Sequence, residues 1–290
     1  MSEELKPCPF ASSTAYDKTK PFVKWAGGKR QLLPAITDRL PQNWDSYFEP
    51  FIGGGAVLFD LQPEHAVIND INEALVNLYK QVQSSVEPLM IEVDTIDQGL
   101  ASASDPKEYY YSVRARYNAF LSEGTHNLSS AALLLFLNKH CFNGLYRVNA
   151  KGLFNVPYNG SSAVSYSKEN LIAASKYLCS VTILRGDFEA ACAEAKKGDF
   201  VFFDSPYAPL NPTSFEAYTK EGFSREEHIR LSNLFKELTE RGCQCMLTNH
   251  NTPFIRDLYQ EFTVEEVQVR RSINSDASKR TGTEVIVRNY

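Results

Sequence analysis

An α/β fold on a largely parallel sheet, interrupted by a mostly helical insertion, is what this 290-residue sequence predicts. Three observations carry that expectation. About seven short segments rich in β-branched and aromatic residues recur along the chain, and the middle ones are near-continuous apolar runs, as in strands buried on both faces. Helical patterns stand between them. From about residue 79 to 175 the strand pattern lapses altogether.

Residues 1–19, rich in Pro, Ser and Lys, read as a flexible tail. "SYFEPF" (46–51) reads as a short aromatic strand, and "AVIND" (66–70) as another that closes on Asp70. Within the insertion, "PKEYYYSVRARYNAFLS" and "SSAALLLFLNKHCF" read as helices, and "NGLYRVNAKGLFNVPYNGSS" as a loop or hairpin. The strands resume with "VTILRGD" (181–187), "DFVFFD" (199–204), "QCMLTN" (244–249), "VEEVQVRR" (264–271) and "EVIVRNY" (284–290). The clearest helix is 225–241. Ser224 caps it and Glu227 completes a capping box. Leu231, Leu234, Phe235 and Leu238 share one face, and Gly242 ends it. Strand and helix alternating at this rhythm imply a parallel sheet.

A hydrophobic content of 43% and a charged content of 22% are those of an ordinary globular protein. No run approaches the roughly 20 apolar residues of a membrane helix, and "MSEELKPCPF" lacks the form of a signal peptide. A cytoplasmic protein without a membrane partner is therefore expected. The six cysteines form no CxxC pair, which favours reduced structural thiols over a disulfide frame or a zinc site, and no metal is expected. The net charge of −5 argues weakly against nucleic acid. Lys24, Lys29 and Arg30 nevertheless cluster near one end, and Arg270, Arg271, Lys279 and Arg280 near the other. Solvated surface charge is the plainer reading of either cluster; a face turned to phosphates is the other.

"YFEPFIGGGAVLFDL" (47–61) has the order strand, glycine turn, helix. Gly53, Gly54 and Gly55 let the backbone turn sharply beside a ligand. Asp70, ending the next strand, can accept hydrogen bonds from both ribose hydroxyls of a nucleoside. A purely structural turn remains the alternative. The GxxxxGK[ST] phosphate cradle is missing, since "WAGGKR" (25–30) has no Ser or Thr after its lysine, which argues against an ATPase. Lys29 suits a carboxylate and Trp25 an aromatic wall, although each also reads as ordinary surface and core. S-adenosylmethionine (AdoMet) has a carboxylate, an adenine and a ribose, and no phosphate.

"FVFFDSPYA" (200–208) ends a buried strand in an acid. An exocyclic amine on an aromatic base is a poor nucleophile because its lone pair is delocalised into the ring. Two hydrogen-bond acceptors on its N–H groups pull the nitrogen toward tetrahedral geometry and free that pair. Asp204 can supply one acceptor and the Ser205 carbonyl the other. Pro206 restricts Ser205 to the extended region, and Tyr207 can stack on a base flipped from a duplex. The cysteine nucleophile of cytosine carbon-5 chemistry is lacking: the one Pro-Cys pair, Pro7-Cys8, lies in the tail.

"PFVKWAGGKRQLLP", "FEPFIGGG", "NDIN", "NGLYRVN", "FNVPY" and "DSPYAPL" together resemble the Dam-type DNA adenine N6-methyltransferases (alpha group, D12 class) in order and spacing, from about residue 21 to the end. The resemblance implies a Rossmann-like AdoMet-dependent domain over 20–78 and 176–290, with a target-recognition domain at 79–175. It implies Asp204, Ser205, Pro206 and Tyr207 as catalytic residues. For AdoMet it implies Trp25, Lys29, Glu49, Phe51, Gly53, Gly55, Asp70 and Asp204. For DNA it implies Lys24, Asn143 and Arg270 as contacts, and Phe142, Leu145, Arg147 and Pro157 as residues that intercalate into or read bases of a GATC site. Independently, Arg is the usual bidentate reader of guanine, and an exposed aromatic beside it suits insertion into the base stack. Asn143-Gly144 also reads as a plain hairpin turn. Double-stranded DNA is the implied partner, no obligate protein partner is implied, and a cognate restriction endonuclease acting on the same site is compatible with it.

Two departures stand out. Ser205 occupies the usual second-proline position of the tetrapeptide, and "NGSSAVSY" (159–166) replaces a Gly-Arg-Tyr-Lys run that contacts phosphates. Weaker backbone contact is expected there. "RRSINSDASKRTG" (270–282) reads as a mobile loop that clamps the duplex. A catalytically silent DNA-binding relative stays open as an alternative, as does methylation of RNA or a protein amide. Asp204 counts against the amide, whose enzymes typically carry Asn at that place.

Overall fold

The computed structural model describes residues 17–27, 29–210, 223–270 and 281–290. Most of the expected tail, with Cys8, lies outside the described residues. So do Arg271, Lys279 and Arg280 of the expected clamping loop, and the side chains of Arg30 and Arg270.

Seven strands form among the described residues: β1 (Tyr47–Glu49), β2 (Ala66–Asp70), β3 (Val181–Arg185), β4 (Phe200–Phe203), β5 (Gln244–His250), β6 (Thr263–Arg270) and β7 (Thr281–Arg288). They order as β3-β2-β1-β4-β5-β7-β6 in one sheet. β1 runs parallel to β2 and to β4, and β4 parallel to β5. β7 is antiparallel to both β5 and β6. The reason is loop length: residues 271–280 are too few for the crossover of roughly a dozen or more residues that a parallel pair needs. The strand order reverses between β1 and β4. Ligands of open α/β sheets bind outside the carboxyl ends of the strands at such a reversal.

Among the described residues the α-helices are α1 (Leu33–Thr37), α2 (Ala56–Leu61), α3 (Glu73–Ser84), α4 (Val86–Ser102), α5 (Pro106–Glu123), α6 (Leu128–His140), α7 (Lys168–Leu178), α8 (Phe188–Ala191), α9 (Arg225–Glu240) and α10 (Pro253–Leu258). The chain divides into two compact units. The first comprises 1–28, 53–62 and 70–185; the second comprises 29–52, 63–69 and 186–290.

In the first unit α6 is buried on every side from Ser130 to Asn138, so it runs as the central helix of that unit. Asn127 caps it, accepting from the Ser130 N–H while the Ser130 hydroxyl accepts from the Asn127 N–H. In the second unit Leu231, Leu234, Phe235 and Leu238 of α9 pack with Val201 and Phe203 of β4 and Leu247 of β5. Each such side chain contributes about 1.5–3 kcal/mol by leaving water. The Ser224 hydroxyl accepts from the Glu227 N–H as expected. The other half of the expected capping box differs, because the Glu227 carboxylate binds the Arg230 guanidinium and the Glu226 side chain bonds Ser224 instead. Gly242, at φ +85°, ends α9. Its N–H reaches the Thr239 carbonyl, and the Cys243 N–H the Leu238 carbonyl, closing a Schellman motif.

Cys141, Cys192, Cys243 and Cys245 are free and buried. Cys179 is disulfide-bonded, which corrects the expectation of reduced thiols throughout. Among the described residues no helix is long and apolar enough to cross a membrane.

Candidate active site

In the second unit β4 is buried at every residue and delivers Asp204 at its carboxyl end. The ammonium of the buried Lys29 stands 2.6 Å from the Asp204 carboxylate. The Thr248 hydroxyl donates to the same oxygen at 3.2 Å. Burial raises the Asp204 pKa above its ordinary value, and Lys29 and Thr248 oppose the rise. Ser205 is buried, and its hydroxyl oxygen lies 3.5 Å from the Asn249 amide nitrogen. The Asn249 carbonyl oxygen accepts from the Ala208 N–H at 2.9 Å. His250 donates from Nδ1 to the Ala208 carbonyl at 2.7 Å, which fixes its tautomer. The Tyr207 hydroxyl donates to Glu284 at 2.7 Å. Lys29 lies 4.5 Å from the centre of the Tyr207 ring, and His250 meets that ring edge-on at 4.8 Å. Lys29, Asp204 and Tyr207 are thus one cluster, and the carboxylate that Lys29 meets is the protein's own. Glu49 and Phe51 have other partners. Glu49 is buried and accepts from the Tyr47 hydroxyl at 2.8 Å, while Phe51 packs on Phe188 and Phe223.

In the first unit the glycine turn wraps Trp25. Gly53 has φ +47°, and a side chain built there would meet the Trp25 ring at 3.3 Å. Gly55, at φ +71°, leaves no room for one: an added Cβ would lie 2.6 Å from the Tyr79 hydroxyl oxygen. That hydroxyl donates to the Gly53 carbonyl at 3.1 Å. Asp70 takes the Gly53 N–H on one carboxylate oxygen at 3.0 Å and the Asn72 N–H on the other at 2.9 Å. The Ile71 N–H is a third backbone donor to this carboxylate, which leaves acceptor capacity for about one further donor. Burial raises the Asp70 pKa, and these backbone donors oppose the rise. Trp25 also stacks on Tyr146, with ring centres 4.8 Å apart and planes at 20°.

The same unit carries the expected DNA-reading residues on a hairpin. Cys141 pairs with Tyr158 and Val148 with Phe154, both antiparallel. Asn143 and Gly144 both have positive φ, and the Leu145 N–H bonds the Phe142 carbonyl, so they make a tight turn within the first arm. The expected hairpin turn is not there: the chain reverses at 149–153, where the Asn149 N–H bonds the Leu153 carbonyl and the Gly152 N–H the Asn149 carbonyl. Phe142, Leu145, Arg147 and Pro157 are exposed. Arg147 is aimed by a 2.8 Å bond from Nε to Asn155. The Lys24 side chain lies over Gly144, where a Cβ would fall 2.5 Å from its Cδ. The buried Asn138 amide clasps both: it accepts from the Lys24 N–H and donates to the Lys24 and Gly144 carbonyls.

The D12 class N6 adenine-specific DNA methyltransferase family matches this chain over residues 25–273. The chain belongs to that family. It is 43% identical over 276 residues to the Type II methyltransferase M1.LlaDCHI of Lactococcus lactis subsp. cremoris, covering 93% of this chain and 95% of that protein. It is 41% identical to the Type II methyltransferase M.MjaIII of Methanocaldococcus jannaschii, covering 94% of this chain and 100% of that protein. To the DNA adenine methylase of Escherichia coli K12 it is 30% identical, covering 94% and 96%.

Five residues of this methyltransferase that hold candidate site residues in place went unread in the sequence: Thr248, Asn249, His250, Glu284 and Asn138. "TNH" carried a signal, since three polar residues end an apolar strand, as Asp204 does on β4. Glu284 and Asn138 carried none, because their partners are fixed only by strand register and helix packing.

Proposed function

We propose that this methyltransferase transfers the methyl group of AdoMet to N6 of adenine within GATC in double-stranded DNA, on a base flipped out of the helix. The observation that carries the reading is Asp204. It is a carboxylate at the end of a buried strand, at the reversal of the sheet, held by Lys29 and Thr248 and followed by Ser205, Pro206 and an anchored Tyr207.

The residues present fit AdoMet. Asp70 keeps acceptor capacity for a ribose hydroxyl, and the turn at Gly53 and Gly55 keeps backbone bare of side chains beside the Trp25 ring. When bound, AdoMet would supply an electrophilic methyl group; its S–CH3 bond would break as the N6–CH3 bond forms, the thioether would leave, and N6 would release one of its protons to solvent. Asp204 accepts one N–H of the target amine and the Ser205 carbonyl the other, so the nitrogen lone pair leaves conjugation. Tyr207 stacks on the flipped base. Lys29 favours the ionised form of Asp204, the form that accepts from the amine.

Lys24, Phe142, Asn143, Leu145, Arg147 and Pro157, with Arg270, would serve the duplex; those from Phe142 to Pro157 fall within 79–175, the segment read as the target-recognition domain. Arg147 would read a guanine edge and Phe142 would enter the stack. Two relatives carry Type II names, which supports a restriction endonuclease acting on the same site. Sequencing DNA from cells that express the chain tests the reading. N6-methyladenine confined to GATC is expected; methylation at another motif would overturn the site, and none at all would overturn the reaction.

A further inference from the structure

We propose that Glu284 and His250 are positioning residues that set the Tyr207 ring in the plane in which the target base stacks. The proposal rests on the reading of Tyr207 given above. His250 on β5 and Glu284 on β7 are direct partners in the antiparallel register, so their side chains leave the same face of the sheet side by side. Both reach Tyr207. Glu284 accepts the phenolic O–H at 2.7 Å, a short bond to a charged acceptor. His250 sets its ring edge-on to the tyrosine at 4.8 Å and 74°. Its Nδ1–H also pins the carbonyl of Ala208, the next residue along.

A tyrosine held at its tip, along its ring and at the following peptide cannot turn about χ2. A stacking platform needs that restraint, because a ring free to turn must be ordered at each binding event. Folding alone does not explain the acid. Glu284 adds negative charge beside a second acid and pushes the Asp204 pKa further up, after burial, the larger cause. A neutral acceptor would hold the phenol without that repulsion. The phenol keeps its proton, because burial, then Asp204 and Glu284, raise its pKa well above the ordinary value. It therefore donates to Glu284 throughout the physiological range.

The test uses the full chain, a GATC duplex with 2-aminopurine at the target position, and steady-state methyl transfer on the unlabelled duplex. Glu284→Ala and Tyr207→Phe are each expected to lower kcat about tenfold, as for one lost hydrogen bond to a charged group. The KM for AdoMet stays unchanged. The double variant falls no further than either single one, and Glu284→Gln, which keeps an acceptor, recovers most of the loss. His250→Phe, which keeps a ring edge, retains more activity than His250→Ala. Additive losses near a hundredfold in the double variant, Gln as poor as Ala, or a KM for AdoMet that rises in step would overturn the role of Glu284. Equal losses in the two His250 variants would overturn that of His250. An unaltered protein that brightens no 2-aminopurine and methylates no duplex would overturn the reading beneath. A working parent with the wrong variant pattern overturns this proposal alone.

Discussion

The Lys29 ammonium lies 2.6 Å from the Asp204 carboxylate, with the lysine buried and the acid only partly exposed. The pair couples the first sequence motif to the tetrapeptide proposed to be catalytic. It also keeps a charge in place that burial alone would tend to neutralise. Removing one partner of such a pair leaves the other uncompensated, at a cost of about 3–5 kcal/mol where burial is complete.

Asp204→Ala is expected to lower kcat by at least about a hundredfold, because one of two acceptors on the target amine is gone. Asp204→Asn keeps an acceptor oxygen without the charge and should lose less. Single-turnover methyl transfer, with thermal unfolding to confirm the fold, checks both. Near-normal turnover in Asp204→Ala would remove the residue from the mechanism.

The pH dependence follows from the same group. The accepting form is the ionised carboxylate, and burial raises its pKa above the ordinary 3.8, with Lys29 the leading opposing influence. Activity should therefore fall as pH drops through that raised value, at a higher pH than for an ordinary aspartate. The sign for stability is the reverse of the usual carboxylate case: a raised folded pKa favours folding below the ordinary value and loses that contribution as pH rises through the raised one. Lys29→Met should move the acid limb of kcat upward. An unmoved limb would show that Lys29 does not tune Asp204.

Ser205→Pro should leave kcat within about tenfold, because the acceptor at that position is a backbone carbonyl. Stability should change more than rate. The buried Asn249 amide loses its serine partner at 3.5 Å, and an unpaired buried donor costs about 1–3 kcal/mol. Proline's restriction of the unfolded chain offsets about 0.4–1 kcal/mol of that. Denaturant unfolding and kcat, measured on one preparation, separate the two. A far larger fall in kcat would give the Ser205 side chain or N–H a part in the reaction.

Arg147→Ala should relax sequence choice rather than abolish methylation, with discrimination at one base pair weakened by about 1–3 kcal/mol. Asn155→Ala, which frees Nε of Arg147, should weaken it in the same direction by less. Competition between GATC and single-mismatch duplexes measures both. Uniform loss on every duplex would make Arg147 a phosphate contact instead.

How much was legible depends on where the information lay. The strands ending in Asp70 and Asp204 could be read because apolar runs stop abruptly at an acid, and the helix at 225–240 because its apolar residues keep one period between a cap and a glycine. The antiparallel placing of β7 could not, since EVIVRNY looks the same in either direction and only the short 271–280 connection decides. The partners of the tetrapeptide were hidden for a related reason. Tyr207 and Glu284 are 77 residues apart, and the bond between them exists only once β7 has taken its register beside β5. The capping box was half right because Arg230, one turn further on, offers Glu227 a stronger partner than a backbone N–H does.

The most direct test gives the purified protein AdoMet labelled in the methyl group and two duplexes that differ only in whether GATC is present. The account predicts label on N6 of the GATC adenine, with little on the control. Label on neither duplex, with the protein folded, would contradict it.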